Sequence, residues 1–161
     1  MKVLLYLLLF GGLVVSCSRE HKLISIKRSI YGSWFTKESK SLNEETEILI
    51  TNKEQFFTNG VLISSKWFDF RDKSGKVLGE YYITKKFRFS IKGNQIEAKF
   101  LRCKTGISKA LKIDNTGYKS LAKACRSSYG TYKRTIKRYK IVGDRLILGN
   151  QEHIKVYLRE Y

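Results

Sequence analysis

Few side chains of this 161-residue chain could support acid–base catalysis. The histidines are His21 and His153, and a catalytic histidine needs a nucleophile or an acid that orients its ring. No Gly-x-Ser-x-Gly or His-Glu-x-x-His motif supplies such a partner. The carboxylates Glu44, Glu45 and Glu47 are typical of a solvated strand end. We therefore predict a protein that is not an enzyme.

Patterns that bind metals or cofactors are also missing from the sequence. No Cys or His spacing matches a zinc site, and no Gly-rich phosphate loop is present. The sequence therefore predicts no metal and no cofactor.

The first seventeen residues have the anatomy of an export signal. Lys2 precedes an apolar run over residues 3–15, which is too short for a membrane span of about 20 residues. The run ends in Val-Val-Ser before Cys17, and this pattern resembles the signal peptide and lipobox of bacterial lipoproteins. The alternative is an ordinary cleaved signal, which would usually end in an Ala-x-Ala-like site.

The lipoprotein resemblance implies a location and a division of the chain. Residues 1–16 would be the signal peptide, Cys17 would carry the lipid, and residues 17–29 would tether it to a domain at 30–161. Ser18 follows the cysteine, which in enterobacterial rules implies sorting to the outer membrane. The resemblance thus implies a protein held to the bacterial membrane by its lipid, in the cell envelope and facing the periplasm.

Two cysteines remain, Cys103 and Cys125. In the oxidising compartment that the resemblance implies, an even pair favours a disulfide over two buried thiols. We predict that these two cysteines are bridged.

Positive charge is concentrated in one part of the chain. The formal net charge is +18, and residues 99–140 contain thirteen Lys or Arg against one acid, Asp114. Such a field attracts anionic partners, although a solvated, solubilising face would have the same composition. Aromatic and basic side chains interleave near its end, where they could stack on and neutralise a partner. The predicted partner-binding residues are Tyr132, Lys133, Arg134, Lys137, Arg138, Tyr139 and Lys140.

Hydrophobic periodicity predicts a mainly β protein. The clearest signal is alternation with period two over residues 81–91, and Lys85 is a charged residue on its apolar side. Such a residue is expected at a barrel mouth or reaching toward water. Turn-forming residues predict turns at 52–53, 59–60, 72–75, 92–94, 143–144 and 149–150.

One helix interrupts the strands. Residues 104–117 are interpreted as a loop, and from Tyr118 apolar residues recur at helical spacing, which predicts a short helix near 118–127. Cys125 would lie on its packed face. Residues 131–142 are then expected to form one long basic strand.

The run of short hairpins, opened by Gly32-Ser33-Trp34 and closed by a hairpin over residues 146–160, resembles a bacterial lipocalin-like domain. The resemblance implies an antiparallel meander that forms a small barrel or a half-open barrel. Trp34 would pack across the base of the barrel, and Arg159 would cover it. A sandwich would satisfy the same pattern of strands.

Together these features predict a non-catalytic binding lipoprotein, for example of the immunity or inhibitor type. Its partner would be an acidic protein or an anionic amphiphile. The alternative is an accessory lipoprotein, such as a pilotin, for the assembly of an envelope or secretion complex. Nucleic acid would also fit the charge, but the envelope location argues against it.

Overall fold

The computed structural model describes residues 29–109, 116–131, 134–149 and 153–161. Within them, eight strands follow one another in sequence order around a closed antiparallel barrel, and one helix lies between the fifth and sixth strands. The elements are β1 (Gly32–Ser41), β2 (Thr46–Phe56), β3 (Val61–Asp72), β4 (Val77–Lys92), β5 (Gln95–Lys109), α1 (Thr116–Thr131), β6 (Thr135–Val142), β7 (Arg145–Gly149) and β8 (Ile154–Glu160). The predicted meander is confirmed, and it closes into a small lipocalin-like barrel.

The barrel closes where β1 meets β8, and this seam is short. β1 pairs with β2 over ten positions but with β8 over three, which run from Ser33 opposite Glu160 to Phe35 opposite Leu158. Among the described strands, the first half of β8 therefore pairs with β7 alone.

The predicted turn at Asn52-Lys53 is wrong. β2 runs through both residues, and Asn52 lies opposite Thr36 on one side and Lys66 on the other. Two adjacent polar residues are typical of a turn, but here one of them faces the interior of the barrel, where Asn52 is buried.

The predicted loop at 104–117 is also wrong over residues 104–109, which belong to β5. Glycine is common in turns and loops, but a Cβ at Gly106 would lie 2.3 Å from the Tyr82 side chain. Glycine is therefore needed for the close approach of that ring to the strand. Residues 110–115 of the predicted loop lie outside the described residues.

Helix α1 confirms the predicted helix and extends it at both ends. Tyr118 and Leu121 are half-buried and Cys125 is buried, so the predicted packed face lies toward the barrel. The Tyr118 ring centroid is 6.1 Å from that of Tyr81 on β4. Because α1 continues to Thr131, the basic strand begins at residue 135, and its predicted start at 131 is wrong.

A disulfide joins Cys103 on β5 to Cys125 on α1, with their Cα atoms 5.6 Å apart. This agrees with the predicted pairing. The bond ties the packed face of the helix to the wall of the barrel.

Replacing both cysteines by serine should lower the free energy of unfolding by about 3 kcal/mol, because the bond restricts the unfolded chain over a separation of 22 residues. Urea denaturation of oxidised and reduced protein measures this change. The Cys103→Ser/Cys125→Ser variant should match the reduced wild type. A variant midpoint equal to that of the oxidised wild type would contradict the prediction.

The base of the barrel holds the apolar core, which is centred on Trp34 and Leu146. Trp34 is fully buried, and its Nε1 donates a hydrogen bond to the Ile30 carbonyl oxygen at 2.7 Å. The Arg159 guanidinium lies over the indole, with Cζ 4.2 Å from the ring centroid. Arg159 also donates to the carbonyl oxygen of Ser29, so it links β8 to the residues just before β1. The other buried members of this cluster are Ile30, Phe56, Leu62, Phe89, Ile96, Ala98, Leu148 and Tyr157.

Candidate functional site

A polar layer lies inside the barrel, above the apolar base. Glu54 on β2 is opposite Ser64 on β3, which is opposite Lys85 on β4. One step further from the base, Asn52 is opposite Lys66. Because strand residues two apart point to the same side, these five side chains share the barrel interior.

Two more lysines reach this interior from the other side of the barrel. Lys137 lies on β6 and Lys155 on β8, and each precedes an inward-facing tyrosine by two residues. Together with Lys66 and Lys85 they surround one cavity, and we call these four residues the lysine ring.

The interior contains two adjoining chambers. The inner chamber, next to the base, has a volume of about 210 Å³. The outer chamber has a volume of about 400 Å³, contains the whole lysine ring and has Leu121 of α1 in its wall. Apolar side chains that line the inner chamber are Phe56, Leu62, Phe87, Ile96, Ala98 and Leu148. An apolar chamber beneath a cationic one fits a ligand with a hydrocarbon part and an anionic head.

Glu54 is the one carboxylate among the described residues that line the chambers, and it is 5% exposed. Ser64 Oγ donates a hydrogen bond to its Oε1 at 3.0 Å, and Tyr157 Oη donates at 3.5 Å. Burial raises the pKa of Glu54, although the charges of Lys137 and Lys155 act in the opposite direction. Even an ionised Glu54 would supply one negative charge against the four positive charges of the lysine ring.

Lysines of the lysine ring repel one another. Burial lowers the pKa of Lys66 and of Lys85, and repulsion by Lys155 and Lys137 respectively lowers these pKa values further. The Asn52 side chain is 8% exposed, and its Nδ2 has no hydrogen-bond partner within the described ranges. An anion in the outer chamber would relieve the repulsion and accept a hydrogen bond from Asn52.

Glu54→Gln should change how stability depends on pH. A raised pKa in the folded state means that the favourable contribution of protonated Glu54 is fully present below the pKa of the unfolded chain and is lost as pH rises through the folded pKa. The substituted amide would keep an oxygen that accepts from Ser64 and Tyr157 but would not titrate. The free energy of unfolding of the wild type, minus that of Glu54→Gln, should therefore fall as pH rises from about 4 to 8.

Urea unfolding at a series of pH values measures this difference. A difference that rises with pH would contradict the prediction, because it would mean that the lysine ring holds Glu54 ionised.

The residues predicted to bind a partner do not share one surface. Lys137 lines both chambers, and Tyr139 packs against the apolar base. Arg134, Arg138 and Lys140 are exposed on the outside, and Arg134 Nε is 2.6 Å from Glu97 Oε1. Tyr132 and Lys133 lie outside the described residues, as does Cys17.

Most of the interior site was missed from the sequence. Lys85 was singled out because it breaks an apolar alternation, and it does line the cavity. The same signal is present at Glu54, two residues before the core residue Phe56, and at Lys66, two before Phe68. At Glu54 the signal was hidden because the misplaced turn at 52–53 broke the periodicity of β2.

The chain matches no protein-family model and no curated protein in sequence. Within the described ranges, no helix is long and apolar enough to cross a membrane, and no group of three or more His, Cys, Asp or Glu side chains is placed to hold a metal ion.

Proposed function

We propose that this protein is a lipid-anchored, non-catalytic binding protein of the bacterial envelope, and that the barrel interior holds an anionic amphiphile. The lysine ring above an apolar chamber is the observation that carries the proposal. The envelope location and the anchor rest on the lipobox-like sequence that ends at Cys17.

The charge of the interior favours an anion as ligand. Four lysines face one carboxyl group whose pKa is raised, so positive charge is in excess inside a partly desolvated space. Charge-assisted hydrogen bonds from ammonium groups are about twice as strong as neutral ones, and Asn52 adds another donor. A carboxylate or a phosphate would satisfy these donors.

The apolar chamber favours a ligand with a hydrocarbon part. Each methylene moved from water into such a chamber contributes about 0.8 kcal/mol, so even a short acyl segment adds substantially to affinity. The outer chamber falls within the range of about 300–1,000 Å³ that is usual for small-molecule sites.

Titration calorimetry with dodecanoate and dodecanol tests the proposal, because the two probes share a hydrocarbon chain and differ in charge. Dodecanoate should bind, and dodecanol should bind at least about tenfold more weakly, since hydrogen bonds to charged groups contribute about 1.5–3 kcal/mol each. Equal affinities, or no binding of either probe, would contradict the proposal.

Cys17→Ser should release the protein from membranes that are washed at high salt, because salt screens any electrostatic attachment that does not need the lipid. A thioether-linked lipid would otherwise retain it there, and the described residues contain no helix that could replace the anchor. Fractionation of cells that express the full chain measures the membrane-bound share. An unchanged share in the variant would count against acylation.

A further inference from the structure

An apolar stripe lies on the outside of the barrel along β8. Ile154, Val156 and Leu158 are 68%, 47% and 48% exposed, and they alternate with the inward-facing Lys155 and Tyr157. Scattered single apolar residues are usual on protein surfaces, but contiguous ones mark places where another surface binds.

Neighbouring strands widen this stripe. Ile147 on β7 lies opposite Val156, and Phe35 on β1 lies opposite Leu158. Both are half-buried. We call Phe35, Ile147, Ile154, Val156 and Leu158 the β8 patch.

Cations border the β8 patch. Lys140 on β6 is opposite Ile147, Arg145 on β7 is opposite Leu158, and Arg138 follows the same outward alternation as Lys140. Lys37 lies two residues after Phe35, with its Nζ 6.0 Å from the Phe35 ring centroid. The bordering side chains, all exposed, are Lys37, Arg138, Lys140 and Arg145.

The described acidic residues near the β8 patch have partners of their own. Asp144, which precedes Arg145, accepts a hydrogen bond from the Tyr161 hydroxyl. Glu160, the outward residue that follows Leu158, forms an ion pair with Lys53. Glu97, on the strand next to β6, forms an ion pair with Arg134. No ion pair between described residues includes a cation of the border, so these cations can attract an external negative charge.

We propose that the β8 patch docks on the surface of an anionic lipid bilayer. Aliphatic side chains surrounded by Lys and Arg are the composition of surfaces that lie in a membrane interface, where the apolar atoms enter the headgroup boundary and the cations bind anionic headgroups. Protein–protein hot spots instead are enriched in Trp, Tyr and Arg at their centre. The centre of the β8 patch consists of Ile and Val, so the bilayer is the better fit.

This docking is independent of the ligand in the chambers and of the acyl anchor. Lys137 and Lys155 face the interior, whereas Arg138 and Lys140 face outward from neighbouring positions. Substitutions on the two sides of the wall therefore separate the two activities.

Vesicle sedimentation tests the docking. The probe is the chain from residue 17 onward with Cys17→Ser, which contains every described strand, the helix and the disulfide. It should bind vesicles of phosphatidylcholine and phosphatidylglycerol in about a 2:1 ratio, bind phosphatidylcholine vesicles much less, and be released by salt.

Ile154→Glu/Val156→Glu should weaken binding to the anionic vesicles by at least about tenfold. The matched control is Leu42→Glu/Leu101→Glu, which makes the same charge change at positions that are 59% and 42% exposed and lie away from the patch. The control should change binding less than about threefold, since only its net charge differs. Equal losses in both variants would overturn the proposal.

Arg138→Gln/Lys140→Gln keeps the patch apolar and gives a second measurement, whether or not the glutamate variant folds. It should remove most of the preference for phosphatidylglycerol, whereas Lys137→Gln/Lys155→Gln should bind vesicles as the wild type does. If the probe without substitutions in the patch does not bind the anionic vesicles, the proposal is overturned and an acidic protein is left as the occupant of the patch.

Discussion

Trp34→Ala should lower the free energy of unfolding by about 4 kcal/mol, which is the largest stability loss that we expect from one substitution in this chain. The indole is fully buried at the centre of the base, and its removal leaves a cavity among side chains from several strands. The Ile30 carbonyl oxygen would lose its donor, and the Arg159 guanidinium would lose the ring beneath it. The loss is therefore larger than the transfer energy of the side chain alone.

Urea denaturation of wild type, Trp34→Ala and two controls measures this prediction. Trp34→Phe keeps a ring but removes the N–H donor, so it should cost less than Trp34→Ala. Phe57→Ala truncates an aromatic residue that is 41% exposed, and it should change stability by less than about 1 kcal/mol. A Trp34→Ala loss as small as that of Phe57→Ala would mean that the base does not hold the barrel together.

Lys137→Gln/Lys155→Gln should weaken dodecanoate binding by about 100-fold. Loss of two charge-assisted hydrogen bonds, at about 1.5–3 kcal/mol each, would by itself weaken binding by more than this. The expected loss is smaller because the ligand headgroup can shift toward Lys66 and Lys85. Glutamine keeps a polar side chain of moderate length, so the barrel should still fold. Binding of dodecanol should be nearly unchanged, because the apolar chamber remains.

The matched control for this loss is Arg138→Gln/Lys140→Gln. It also removes two positive charges, from residues close to Lys137 in β6, but these side chains lie outside the barrel. Calorimetry should give it the dodecanoate affinity of the wild type. Equal losses in the two variants would show that net charge, rather than the interior site, attracts the ligand.

Local sequence signals predicted most of the strands and turns but not the closure of the barrel. The alternation over residues 81–91 and the turn residues after β4 act over a few positions, so they can be read from the chain directly. Closure depends on Ser33 meeting Glu160, a contact between opposite ends of the domain that no local pattern encodes.

The interior site was less predictable than the fold, because the role of a charged residue depends on whether its side chain faces the barrel interior or the solvent. Lys137 and Arg138 are neighbours in a basic stretch, and composition alone treats them alike. In β6 the Lys137 side chain faces the chambers, whereas the Arg138 side chain faces the solvent. Recognising the site would have required the continuous alternation of β2, which places Glu54 inside.

The brevity of the β1–β8 seam has a consequence for the order of folding. The hairpins from β2 to β5 join residues that are close along the chain and can form early, whereas the seam brings together the two ends of the domain and gains only three paired positions in return. Pairing of β1 with β8, which closes the barrel, is therefore expected to be the last step of folding. Before that step, the edges of β1 and β8 are unpaired and can bind other chains, and β8 also carries exposed aliphatic side chains. Self-association should therefore be greatest during refolding rather than in the native state.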